Sequence, residues 1–95
     1  MTSLVLFTTL APAPLTDELT SAGYRVFKAL AVSEVLHICE TESIDIVVID
    51  ANVDEQRGKD IQCHHTTLRL ERGATAKNLV WELTQLFPEK IVMIQ

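Results

Sequence analysis

Apolar positions along this chain fall into two patterns, short unbroken runs and spaced stripes, and each predicts a different element. Leu4-Val5-Leu6-Phe7 is unbroken, as a strand covered on both faces should be. Pro12 and Pro14 then interrupt, and Pro14 suits a first helical turn. Leu15, Leu19 and Ala22 follow at helical spacing, which predicts a short helix over 14–22 with Gly23 as its C-terminal cap. Arg25 to Leu30 alternates in part, the signature of an edge strand. Ser33 is a good N-cap for a helix over 34–42, whose Val35, Leu36, Ile38 and Cys39 form one apolar stripe. Ile44 to Ile49 is the most hydrophobic strand, β-branched from Ile46 onward, and it stops abruptly at Asp50.

The second half is less regular. Residues 54–65 are polar and predict a short helix around 54–62, and Thr66 to Leu70 alternates as a strand near an edge. Thr75 caps a stronger helix over 76–87, with Leu79, Val80, Leu83, Leu86 and Phe87 on one side and Pro88 as its stop. Ile91 to Ile94 reads as a last apolar strand. Strands alternating with helices predict right-handed crossovers and a mostly parallel sheet of four to five strands between helical layers. In such α/β folds function collects beyond the carboxyl ends of the strands, here Phe7–Thr9 and Asp50–Val53.

Composition narrows the field. The 95 residues, 47% hydrophobic and 22% charged, make one domain, 1–95, with material for a core. The formal net charge is −5, with −7 over residues 1–55 and +2 over residues 56–95. That balance argues against nucleic-acid binding, which needs a stronger positive excess on one face. It does allow the two halves to attract each other, within or between chains. No run is long enough to span a membrane, and Met1-Thr2-Ser3 does not open a signal peptide, so the expected compartment is the cytoplasm. Cys39 and Cys63 are too few for a disulfide framework.

With the elements placed, Gly23-Tyr24-Arg25-Val26, a helix, and then Ile44-Asp45-Ile46-Val47-Val48-Ile49-Asp50 resemble the receiver domain of bacterial response regulators. The likeness spans about residues 3–53. It implies a three-layer, flavodoxin-like fold of strand order 2-1-3-4-5, with Asp50 in the phospho-accepting position. Receivers add two acidic residues after the first strand to hold Mg²⁺, which offsets the phosphate charge near a carboxylate. Here those positions are Thr8 and Thr9. The loop after Asp50 reads Ala51-Asn52-Val53-Asp54, without the proline that receivers usually carry there. The family's switch hydroxyl and pairing lysine have no clear equivalents. With 66–70 as fourth strand and 91–94 as fifth, Glu71 and Gln95 stand near those places. With 91–94 as fourth strand, Gln95 replaces the hydroxyl and the rest of the domain is absent. Lys90 precedes the last strand either way. The resemblance therefore implies a degenerate, truncated receiver, with Asp50, Thr8, Thr9 and Asn52 as a remnant pocket and no resident cofactor.

Three accounts of Asp50 stand side by side. Its carboxylate caps a backbone N–H or bonds Thr8 or Thr9, it marks a vestigial anion or metal site, or it is phosphorylated. Cys63-His64-His65 offers thiolate and imidazole donors for a small metal or anion site, although paired ligand spacing is missing elsewhere. Trp81 falls about 200° from Leu79 on the helical wheel, opposite the apolar cluster, either under a loop or at a contact surface. If Ile91–Ile94 is the final strand, no residues follow to supply a receiver's last helix, and one face of that strand is left open. The expected function is a non-catalytic module for self-association, as a homodimer, or for docking a protein partner, with Trp81, Ile91, Val92, Met93 and Ile94 as its interface.

Overall fold

The computed structural model describes residues 2–9, 14–63 and 65–87. The elements run β1 (Ser3–Phe7), α1 (Pro14–Ser21), β2 (Arg25–Ala29), α2 (Val32–Thr41), β3 (Ile46–Ile49), α3 (Glu55–Gln62), β4 (Thr67–Arg69) and α4 (Ala76–Leu86). The four strands form one sheet of order β2-β1-β3-β4, and every pairing is parallel. Val5 sits between Phe27 and Val47, and Val47 faces Thr67 on its other side. This is the α/β, flavodoxin-like, three-layer architecture expected from the sequence. The strand expected over 66–70 forms as the shorter β4, Thr67–Arg69, and lies at the edge of the described sheet, whereas the strand expected at Ile91–Ile94 lies outside the described residues.

The unbroken apolar runs are explained by two separate cores. Leu4 and Leu6 of β1 join Ile46 and Val48 of β3 on one face, against Leu19 of α1 and Leu79 and Leu83 of α4. Val5 and Phe7 join Val47 and Ile49 on the other, against Val35 of α2 and Ile61 of α3. Strand side chains alternate between faces, so a strand in the middle layer is apolar at every position. All of β1 and β3 is buried. Among the described residues the helices divide two and two, and the central strands are covered on both sides.

Local signals account for most of the boundaries. Gly23 adopts φ +99°, and the Gly23 and Tyr24 amides donate to the Thr20 and Leu19 carbonyls. That pair of bonds is a Schellman motif, and Tyr24 and Leu19 meet in the same core. Asp54 caps α3 by accepting from the Arg57 amide at 2.9 Å, and Thr75 and Asn78 form a reciprocal capping box at α4. The start of α2 differs from expectation. Its N-cap is Ala31, without a side-chain cap, and Ser33 lies inside the first turn. Glu34 takes over part of that role, accepting from the Leu30 amide at 3.4 Å.

Candidate functional site

Neighbouring parallel strands deliver their carboxyl ends together, so β1 and β3 bring Thr8 beside Asp50. The Asp50 amide donates to the Phe7 carbonyl and the Thr8 amide to the Ala29 carbonyl, which fixes both chains as they leave the sheet. From there the fully buried Thr8 hydroxyl donates to Asp50 Oδ2 at 3.0 Å. The Asn52 side-chain Nδ2 donates back to the Thr8 hydroxyl at 3.1 Å and to Asp50 Oδ2 at 3.3 Å. Asp50 Oδ1 accepts from the Ala51 amide at 2.7 Å. Both carboxylate oxygens are therefore held by local donors, as a half-buried charge requires.

Three of the four expected pocket residues meet through their side chains. Thr9 differs, because its side chain is exposed and its backbone amide, not its hydroxyl, donates to Asn52 Oδ1 at 2.9 Å. A matching clasp joins the same two strands at their opposite, amino-terminal ends. The Ser3 amide donates to Asp45 Oδ2 at 2.8 Å, while the Asp45 amide donates to the Ser3 carbonyl at 2.9 Å. Asp45 thus lies before β3 rather than within it, as an N-terminal counterpart of Asp50.

Arg69 is the residue the sequence did not single out. It ends β4, directly opposite Ile49, and its Nη2 donates to the Val53 carbonyl at 2.5 Å. That contact ties the edge strand to the loop that carries Asn52. Its path crosses Gly58 of α3, where an added Cβ would come within 2.7 Å of Arg69 Nη1. The available signal was the lone glycine in an otherwise polar helix, a position that often marks close approach.

No group of three or more His, Cys, Asp or Glu placed to hold a metal ion occurs among the described residues, which leave out one of the three expected ligands. Cys63 is exposed at the C-cap of α3, His65 donates its amide to the Ile61 carbonyl, and His64 lies outside the described residues. Cys39 packs against the α2/α3 core, and burial pushes its thiol pKa up.

A second concave feature lies at the β4 edge. A groove of about 430 Å³ runs between β4, the loop after it and α4, lined in part by Leu68, Arg69, Arg72, Asn78, Trp81 and Glu82. Trp81 is 64% exposed there, on the side of α4 away from the core, as the helical wheel predicts. The other expected interface residues, Ile91, Val92, Met93 and Ile94, lie outside the described residues. No helix among the described residues is long and apolar enough to cross a membrane. No protein-family model, curated protein or solved structure matches this chain.

Proposed function

We propose that this chain is a non-catalytic, receiver-like module that acts by self-association or by docking a protein partner in bacterial cytoplasmic signalling. The observation that carries the reading is Trp81, a large aromatic left mostly exposed at the rim of a groove beside a strand edge. Tryptophan is the residue type most enriched among the anchors of protein interfaces. The geometry at Asp50 supports the same reading from the other side. Phosphoryl transfer to a carboxylate needs an exposed oxygen and enough negative charge nearby to hold Mg²⁺. Here Thr8, Ala51 and Asn52 all donate to the carboxylate, and Thr8 and Thr9 stand where a receiver has acids. Asp50 then serves as a clasp that fixes the β3–α3 loop.

The test is sedimentation of the full chain over a range of concentrations, beside Trp81→Ala. The reading expects association that weakens about tenfold or more on losing the aromatic anchor, a change of roughly 1.4 kcal/mol. Association that ignores the substitution removes Trp81 from the interface.

A further inference from the structure

The two edges of the sheet are defended differently. At the β2 edge Arg25 and Lys28 are exposed, with Arg25 paired to Glu42 at 2.7 Å and stacked 4.9 Å from the Phe27 ring centre. Charged side chains, lysine above all, are a common means of keeping an edge strand from pairing. At the β4 edge Arg69 is drawn across Gly58 to the Val53 carbonyl. Among the described residues β4 ends the sheet, and Leu68, Arg69 and Leu70 line the groove that Trp81 borders.

The hydrogen-bond phase of β4 follows from its pairing with β3. The Val47 amide donates to the Thr66 carbonyl, and the Leu70 amide donates to the Ile49 carbonyl. Residues 66, 68 and 70 therefore turn their polar groups toward β3. By alternation Thr67 and Arg69 turn theirs outward. Their side chains share the α2/α3 face with Val47 and Ile49, while Leu68 lies on the α1/α4 face.

The hand of the fold limits what can fill that edge. The crossover from β1 to β2 carries α1 on one face, and the two crossovers that run the other way carry α2 and α3 on the opposite face. All three have the same hand. But α4 packs beside α1. A parallel strand reached through α4 and laid beyond β4 would need the reverse hand, which such crossovers almost never adopt.

From these features, and resting on the interaction reading above, we infer that the β4 edge pairs with the β4 edge of a second copy of this chain, antiparallel about a two-fold axis at Leu68. In that register Thr67 of one copy and Arg69 of the other form a hydrogen-bonded pair, and the reciprocal pair does the same. Leu68 faces Leu68 of the second copy in the close, non-hydrogen-bonded position, flanked by the two copies of Trp81. No like charges stand opposite one another. The contact is isologous, so it closes at a dimer rather than growing into a filament. It joins two four-stranded sheets into one.

Thr67→Pro tests the pairing, because it removes an outward N–H and leaves the β3 ladder intact. Sedimentation of the full chain should show a dimer for the native sequence and at least about tenfold weaker association for the variant, with an unchanged circular dichroism spectrum. A dimer that survives Thr67→Pro overturns edge pairing and leaves the interaction reading standing. A native chain that stays monomeric at high micromolar concentration overturns edge pairing and self-association together, and leaves only the docking of a different protein. Should Thr67→Pro fail to fold, Leu68→Cys in a Cys63→Ser background gives an independent answer. The Cα atoms in the proposed pair lie about 4.5 Å apart, within disulfide range, so mild oxidation should give a covalent dimer. Its absence contradicts the register.

Discussion

Thr8 and Asp50 are 42 positions apart in sequence and joined by a 3.0 Å hydrogen bond where β1 and β3 leave the sheet. The bond makes the carboxylate part of the frame of the β3–α3 loop. A buried hydroxyl and a half-buried carboxylate satisfy each other, and Asn52 closes the triangle. Thr8→Val keeps the volume but removes one donor to a charged acceptor, a loss worth about 1–3 kcal/mol. Urea denaturation should show a lower midpoint of that size with an unchanged slope. In an Asp50→Ala background the same substitution should cost far less, because the partner is gone.

Arg69 and Gly58 make a prediction whose sign depends on background. Alanine is favoured over glycine in a helix by about 1 kcal/mol. At position 58 the added methyl meets the Arg69 guanidinium and displaces it from the Val53 carbonyl. Gly58→Ala should therefore be neutral or destabilising in the native chain. In an Arg69→Ala background it should stabilise by up to about 1 kcal/mol, and a thermal double-mutant cycle reads the difference.

The single tryptophan reports directly on the surface to which it belongs. At low concentration Trp81 should be quenched by iodide almost as readily as in the urea-unfolded chain, because it is mostly exposed. Raising the protein concentration should shield it. Trp81→Ala should change monomer stability by no more than about 0.5 kcal/mol, the usual range for a surface substitution.

Alkali should weaken the fold through Tyr24 and Cys39. Burial raises the pKa of both groups by penalising their charged forms. A raised folded pKa means the native state holds its proton more tightly than the unfolded chain does. That contribution is whole below the ordinary phenol and thiol values and is lost as pH climbs through the higher folded ones. Urea midpoints should fall in that alkaline range, and Tyr24→Phe should flatten the fall. At neutral pH iodoacetamide should label exposed Cys63 well before Cys39, as peptide mass spectrometry would show.

What the sequence reveals follows from how local each signal is. The runs Leu4–Phe7 and Ile46–Ile49 identify the central strands because burial on both faces leaves no polar position. Gly23, Asp54 and Thr75 mark helix ends through chemistry confined to neighbouring residues. Ser33 misleads for the same reason, since it is a good cap by type while the Ala31 carbonyl and the Glu34 carboxylate organise that turn. The Asp50–Thr8 bond is legible once β1 and β3 are taken as neighbours. Arg69 is not, because its partners Val53 and Gly58 are set by how β4 docks beside α3. The β4 groove likewise exists only once α4 packs on the α1 face.

The most direct test of the central claim is the intact mass of the full chain after incubation with a small-molecule phosphodonor, with and without Mg²⁺, beside Asp50→Asn. A carboxylate clasped by Thr8, Ala51 and Asn52 should give no adduct under either condition. A magnesium-dependent phosphoryl adduct that disappears in Asp50→Asn would contradict the account and make this chain a working phosphorylation switch.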